Sequence, residues 1–372
     1  MELVNFIHHN NDWKEKLQLS PYCLHISEDE HYILLKYNQL ESDMRNPVVR
    51  ECRGIILRKS DLSVCCRAFD KFFNAHEENA ARIDWSNAVV LEKVDGSIMK
   101  VWFDDGKWNV STNGTIDAYL AGVESDLSPV KTFGDLFDLA LNQMFGTNGK
   151  QMFFEKLEIG YTYIFELVSP YNRIIVSYRQ PEIYFIGVRN MLTNKEIFPW
   201  EHPLCEHVKT PKKYKLDNIE ACLAEADKMG YDNEGFVVVD KDFNRIKIKS
   251  PLYVAAHYLK NNGVQTIGRL LKIVLKGEQD EFCGYFPEFK HDIERITEAC
   301  NQLISTLDQS KNTLKELNFE TRKDFALHVK ANCKSPDFHF WTHDNDWASA
   351  EKWFNQLPDN KQERVIKEYL IT

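Results

Sequence analysis

Lys93 stands at the end of an apolar run, in Ala88-Val89-Val90-Leu91-Glu92-Lys93-Val94-Asp95-Gly96-Ser97. A lysine placed where a strand runs into a glycine turn can be held partly out of water. Desolvation and neighbouring cations lower the pKa of an ammonium, and only the neutral amine is a nucleophile. Asp95 is placed to orient that lysine or a metal-bound water. By itself Lys-x-Asp-Gly is a weak signal, because such tetrapeptides usually lie in solvated turns. Lys247 and Lys249 add a second feature: separated by one residue, they share a strand face, with Ile246 and Ile248 on the other. Like charges side by side are costly unless an anion lies between them. The pair therefore suits a phosphate, with a solvated strand face as the alternative.

Carboxylates come next. Glu166 lies in Phe165-Glu166-Leu167-Val168-Ser169-Pro170, and Glu234 precedes Gly235-Phe236-Val237-Val238-Val239. Either one alone could simply end a strand; together, with lysines nearby, they would form a site for a metal and a ribose. Upstream lie Glu51-Cys52-Arg53-Gly54-Ile55 and Phe69-Asp70-Lys71-Phe72-Phe73-Asn74. Arg53 and Lys71 could neutralise phosphate oxygens, Arg53 through its bidentate fork. Phe73 could stack on a base, although aromatics at such spacing are more often core.

The elements that must hold these residues are mostly short strands between about residues 31 and 255. Apolar runs at 31–35, 54–57 and 88–91 predict strands, and residues 100–111 predict a hairpin around Asp104-Asp105-Gly106. Residues 161–168, 173–178 and 183–188 are further strand candidates. A helix is expected over 218–229, stopped by Gly230, and a second hairpin over 235–239 and 245–249. Beyond about residue 260 the period becomes helical: Ile293, Ile296, Cys300, Leu303, Ile304 and Leu307 recur on one face, with Pro287 near the start. Shorter helices are expected over 323–330, 347–357 and 361–370.

The chain has 372 residues, 43% hydrophobic, which suits two globular domains and excludes fibres and disorder. No run approaches the ~20 apolar residues of a membrane span, and the first residues lack the pattern of a secretory leader. Nine scattered cysteines without a Cys-x-x-Cys pair predict free thiols in a reducing, cytoplasmic setting. The net charge of -10 argues against a nucleic-acid coat, but not against an enzyme gripping one strand in a local basic groove. From Lys260 onward 16 basic residues face 18 acidic ones, so the tail is no basic clamp.

Together the features acquire an order. Arg53, Lys71-Phe72-Phe73-Asn74, Lys93-Val94-Asp95-Gly96, Phe165-Glu166-Leu167-Val168, Glu234-Gly235-Phe236 and Lys247-Ile248-Lys249 resemble the motif series of the covalent ligase and capping-enzyme superfamily. Within it the chain most resembles the phage-type RNA ligase 1 family, through Glu51-Cys52-Arg53-Gly54, Asp70-Lys71-Phe72-Phe73-Asn74, Asn172-Arg173-Ile174-Ile175 and Lys247-Ile248-Lys249-Ser250. The resemblance covers about residues 30–255.

The resemblance implies an α+β fold: an antiparallel-sheet, ATP-grasp-like nucleotidyltransferase domain over 1–258, then an all-α C-terminal domain over 259–372 acting as an RNA-specificity element. It implies a monomeric ATP-dependent RNA ligase, with no membrane partner, that joins RNA 5′-phosphate and 3′-hydroxyl ends in RNA (tRNA) repair. ATP and Mg²⁺, with Mn²⁺ as a substitute, are the implied cofactors, and a viral source is open. Lys93 is then the adenylated nucleophile, with Asp95, Lys247 and Lys249 as its catalytic company. Tyr37, Arg53, Lys71, Phe73, Gly96, Glu166, Glu234, Lys247 and Lys249 bind the nucleotide, Tyr37 at the adenine edge. Glu166 and Glu234 are the metal ligands. Asn113 departs from the family, which commonly has a basic residue there; an amide brings hydrogen bonds without charge.

A DNA ligase or GTP-using capping enzyme is the alternative within the superfamily, but both normally carry a β-barrel where this tail reads helical. A non-catalytic RNA-end-binding protein would need neither Lys93 nor both glutamates. Cys333, His339 and His343, like His202, Cys205 and His207, have loosely ligand-like spacing without a completing pair, so a zinc site is not expected. Lys209, Lys212, Lys213 and Lys215 could touch an RNA backbone or lie in a solvated loop around Pro211.

Overall fold

Most of the apolar runs in the first part of the chain become strands. The computed structural model describes residues 1–123, 125, 128–262, 267–285, 287–317 and 319–370. The chain divides into two compact units, Met1–Asn261 and Asn262–Thr372, a few residues beyond the expected division because helix α7 (Pro251–Asn262) runs through it.

The strands of the first unit are β1 (Leu24–Glu28), β2 (Tyr32–Tyr37), β3 (Arg53–Arg58), β4 (Val64–Cys66), β5 (Phe73–Asn74), β6 (Val89–Glu92) and β7 (Ser97–Asp104). They continue with β8 (Lys107–Thr112), β9 (Tyr161–Val168), β10 (Glu182–Asn190), β11 (Glu196–Ile197), β12 (Lys213–Tyr214), β13 (Gly235–Val239) and β14 (Arg245–Lys249). Three sheets result, in the orders β1-β2-β3-β4, β11-β10-β9-β7-β8 and β12-β6-β13-β14-β5. Among the described residues the strand pairings are antiparallel, except that of β14 with β5, which is parallel. The hairpins β7–β8 and β13–β14 form where their turn and alternation signals place them.

Each sheet buries a face against helices, and the first also buries Tyr32, Leu34, Ile56 and Cys66 of its other face on Trp102 of β7. The first packs Ile33, Leu35, Ile55 and Leu57 on Leu3 and Ile7 of helix α1 (Glu2–His9) and on Trp13 and Leu17 of α2 (Trp13–Gln18). Helix α3 (Pro47–Glu51) adds Val48 and Val49 to the same core. The second packs Met99, Val101, Tyr163 and Phe165 on Leu136 and Phe137 of α4 (Phe133–Phe145) and Phe153 of α5 (Gly149–Phe154). The third packs Val90, Phe236, Val238, Ile246 and Ile248 on Cys222 and Ala226 of α6 (Ile219–Ala226). Helix α6 ends earlier than expected, but its start is as read, with Asn218 accepting the Ala221 N–H.

Residues 173–178 are not the expected strand. Their backbone N–H groups are spent elsewhere: those of Ile175 and Val176 donate to the Asp95 carboxylate at 2.9 and 2.7 Å. A ladder needs the donors that this carboxylate has taken.

The second unit is helical in its described elements: α8 (Ile267–Leu275), α9 (Gln279–Tyr285), α10 (Lys290–Glu316), α11 (Arg322–Asn332), α12 (Pro336–Asp344), α13 (Ala350–Gln356) and α14 (Asp359–Leu370). The predicted stripe of α10 is buried at Ile293, Ile296, Cys300, Leu303 and Leu307. Among the described residues no helix is long and apolar enough to cross a membrane.

Candidate active site

Strand alternation sends Leu91 and Lys93 to one side of β6, and Val237 and Val239 to the matching side of β13. These residues line a cavity of about 290 Å³ together with Ile98 of β7 and Ile186 of β10. The cavity thus lies against those faces of the second and third sheets that the helices leave uncovered. Phe198, Pro199 and Pro211 line it too.

Lys93 Nζ lies 2.7 Å from Glu234 Oε2, and Lys249 Nζ lies 3.7 Å from Glu234 Oε1. The backbone sets this up: the Lys93 N–H donates to Gly235 O at 2.8 Å, fixing the residue after Glu234 beside the lysine. Glu234 is only 5% exposed, so two lysines share a carboxylate that water hardly reaches. The expected cationic neighbour of Lys93 is therefore present at one remove, with Glu234 between it and Lys249.

Glu166 faces the same cavity, opposite Ile98 in the register of β7 and β9. Burial raises its carboxyl to about 7; Lys93 and Arg53 oppose the rise, while Glu234 and Asp95 add to it. Gly96 lets β9 come this close. A Cβ at Gly96 would lie 2.4 Å from Leu167 O, so a side chain would push the Glu166 strand away from Lys93.

Arg53 and Asn113 line the cavity with polar atoms left over. Within the described residues, Arg53 Nη1 and Asn113 Oδ1 are buried without a hydrogen-bond partner, a state that costs free energy unless a ligand completes it. Gly54 brings the two together, since a Cβ there would lie 2.4 Å from Asn113 O. Asn113, the family departure, is thus placed to receive a neutral donor beside a guanidinium.

Lys247 and Lys249 share a face of β14 as expected, with Ile246 and Ile248 in the core behind them. Lys247 is opposite Val237, a cavity residue, in the ladder. Asp95 is buried apart from the cavity. It is 3% exposed and does not line the cavity; besides Ile175 and Val176, Tyr253 Oη donates to its Oδ1 at 2.8 Å. All of these bonds fix the turn that carries Lys93.

Phe73 is not the ring that faces the cavity. It is buried in β5, and its neighbour Phe72 lines the cavity along with Phe69. Adjacent residues on an extended segment point to opposite sides, so the Phe72-Phe73 pair must supply one of each. Tyr37 and Lys71 pack on each other, Lys71 Nζ 5.2 Å from the Tyr37 ring and 5.6 Å from that of Phe73, and neither lines the cavity. Of the spaced histidines, His343 stacks on Phe325 at 4.3 Å and His339 Nε2 lies 3.1 Å from Ser310 Oγ.

Sequence reasoning missed Phe69, Phe72, Ile186, Phe198 and Pro199 as cavity residues, and Tyr253 as the clamp on Asp95. Only strand parity at Phe72-Phe73 offered a signal; the others depend on how distant strands meet.

With this geometry in place, the relatives are informative. The RNA ligase family matches residues 51–253. A protein of Autographa californica nuclear polyhedrosis virus, described as a bifunctional polynucleotide kinase/RNA ligase, is 33% identical over 302 residues, 77% of this chain. An RNA ligase of Rhodothermus phage RM378 is 26% identical over 385 aligned residues, 85% of this chain. This chain spans 41% of the length of the first and 82% of the second. An archaeal ATP-dependent RNA ligase of solved structure aligns over 89% of this chain and 90% of its own, at 12% identity and a TM-score of 0.44; that distance leaves the sequence match to decide. The match covers more than half of the chain and takes in Arg53, Lys93, Glu166 and Glu234, and on that ground the chain belongs to the phage-type RNA ligase family.

Proposed function

We propose that this chain is an ATP-dependent RNA ligase that carries adenylate on Lys93. The observation behind it is Lys93 in a cavity of nucleoside size, held by Glu234 at 2.7 Å and facing Arg53 with an unpaired, buried Nη1. The apolar walls suit a purine, and Arg53, Lys249 and Lys247 suit the phosphates.

Three transfers at phosphorus follow. The Lys93 amine attacks the ATP α-phosphorus, forming a P–N bond as the bond to pyrophosphate breaks. An RNA 5′-phosphate oxygen then takes the adenylyl group from Lys93. Last, an RNA 3′-hydroxyl attacks that 5′-phosphorus, and AMP leaves. Glu234 orients the Lys93 ammonium, which must lose its proton before it can attack. Arg53 and the lysine pair supply fixed positive charge where charge builds on phosphoryl oxygens.

The donor set suits a hard divalent cation such as Mg²⁺ or Mn²⁺. Among the described residues no three His, Cys, Asp or Glu side chains converge as a cage. Mg²⁺ commonly binds through one or two carboxylates and substrate phosphates, and Glu166 and Glu234 provide the carboxylates. When bound, the cation supplies Lewis-acid stabilisation of the phosphoryl oxygens. The helical second unit stands where a DNA ligase or capping enzyme would have a β-barrel, which favours RNA as the substrate. That unit is the natural element to choose among RNAs, with broken tRNA a candidate.

The test is incubation with α-labelled ATP and Mg²⁺. A label that survives denaturation and is absent in Lys93→Ala is expected. Labelling by GTP in place of ATP would transfer the chain to the capping class, and no labelling of nucleotide-free protein would end the enzymatic proposal.

A further inference from the structure

The segment 209–216 is left over once the cavity is accounted for. It holds Lys209, Lys212, Lys213 and Lys215, all exposed, and no acidic residue. Lys209 is paired with Glu182 at 2.7 Å. Among the described residues, Lys212, Lys213 and Lys215 have no carboxylate in ion-pair contact.

These lysines are not on a wandering loop. Strand β12 is the edge of the third sheet, with Lys213 opposite Leu91 and Tyr214 opposite Val90. Glu92 N donates to Lys212 O at 2.8 Å, and Lys212 N donates to Glu92 Oε2 at 3.2 Å. The lysines are therefore fixed beside the strand that ends in Lys93. Aromatic rings are interleaved with them. Lys213 Nζ lies 3.3 Å from the Trp200 ring centre, and Trp200 is stacked on Phe198 at 4.6 Å with the planes 13° apart. With Phe198 on one face of the indole, Lys213 covers the other. Lys212 Nζ lies 4.7 Å from the Tyr214 ring. Phe198 and Pro211 also line the nucleotide cavity, so the ridge is continuous with it.

A local positive ridge on a chain of net charge -10 is a specific feature, not a general surface property. Partial desolvation beside the indole holds the Lys213 ammonium below the usual lysine range, with Glu201 opposing the shift. Lysines answer phosphates, and a row of them fixed on a strand edge and running into the cavity suits the backbone of a single-stranded nucleic-acid end. An acidic peptide would meet the charges but has no end that the adjoining cavity suits.

We propose that Lys212, Lys213 and Lys215 form the track for the single-stranded RNA end entering the cavity, with the lysines on its phosphates and Trp200 behind Lys213 as its support. This assignment rests on the ligase proposal, and its test separates the two. The full chain and Lys212→Ala/Lys213→Ala/Lys215→Ala are compared for self-labelling with α-labelled ATP without RNA. The same preparations are titrated with a 5′-phosphorylated single-stranded RNA of about ten nucleotides at several salt concentrations. The triple variant is expected to self-label as the parent does, to bind RNA roughly tenfold or more weakly at low salt, and to lose about 2 from the slope of log affinity against log salt. Trp200→Ala, which leaves Lys213 without its support, is expected to weaken binding by less than the triple variant does. Unaltered RNA affinity and slope in the triple variant would overturn the track, and would leave the ridge to a protein partner. Unaltered affinity in Trp200→Ala would overturn the support of Lys213 by the indole. If the parent fails to self-label, the ligase proposal falls, while the RNA titration still decides the track.

Discussion

Glu166 carries the most consequential proton in the cavity. Burial lifts its carboxyl from 4.5 to about 7 in the folded chain. Between those values the folded state holds a proton that the unfolded state has released. The folded state therefore binds more protons, and stability must fall as pH rises through that window. The contribution is full below about pH 4.5 and is lost by the time pH passes about 7; it amounts to as much as about 3 kcal/mol. Thermal unfolding in nucleotide- and metal-free buffer should show the chain more stable near pH 5 than near pH 8. Glu166→Gln, which cannot ionise, should flatten that dependence; an equal slope in both proteins would refute the assignment. Lys93 itself was legible from the sequence because its motif company is linear in the chain. The protonation of Glu166 was not, because it depends on which charges three separate strands bring to one point.

At the level of elements, the Lys93 turn is held by a buried carboxylate rather than by a ladder. Asp95 gathers the N–H groups of Ile175 and Val176 and the hydroxyl of Tyr253, which lies on α7. Tyr253→Phe removes one donor from a carboxylate that is 3% exposed. It should cost about 2 kcal/mol of stability and slow self-labelling, since the turn loses its tie to α7; unfolding and labelling assays read the two effects. A variant as stable as the parent would show that water replaces the hydroxyl. This knot explains both the success and the failure of sequence reasoning. The hairpins over β7–β8 and β13–β14 were legible because alternation and turn residues are local. Residues 173–178 also alternate like a strand, yet their donors go to a residue 80 positions earlier. Phe73 is buried in β5 while its neighbour Phe72 lines the cavity; composition cannot tell which side of an extended segment faces it. Helices α4 and α5 were not seen, although their apolar faces cover the second sheet.

The whole molecule separates chemistry from what surrounds it. Arg53, Lys93, Glu166, Glu234, Lys249 and Tyr253 all lie in Met1–Asn261, whose sheets each have their own helix-covered or loop-covered core. Among the described residues, those that line the cavity belong to Met1–Asn261. The second unit has its own core along α10, where Ile293, Ile296, Leu303 and Leu307 are buried, and 16 basic residues against 18 acidic ones from Lys260 onward give it no general pull on RNA. Its contribution should therefore be choice of substrate rather than catalysis at Lys93. A chain ending at Asn261 should fold, as read by circular dichroism, and self-label on Lys93 with ATP. It should join single-stranded RNA ends while losing preference among structured RNAs. A folded fragment that does not self-label would mean that the helical unit completes the site, and the division of labour would have to be abandoned. A fragment that keeps the full preference would instead place RNA choice in the first unit, where the lysine and tryptophan ridge already borders the cavity.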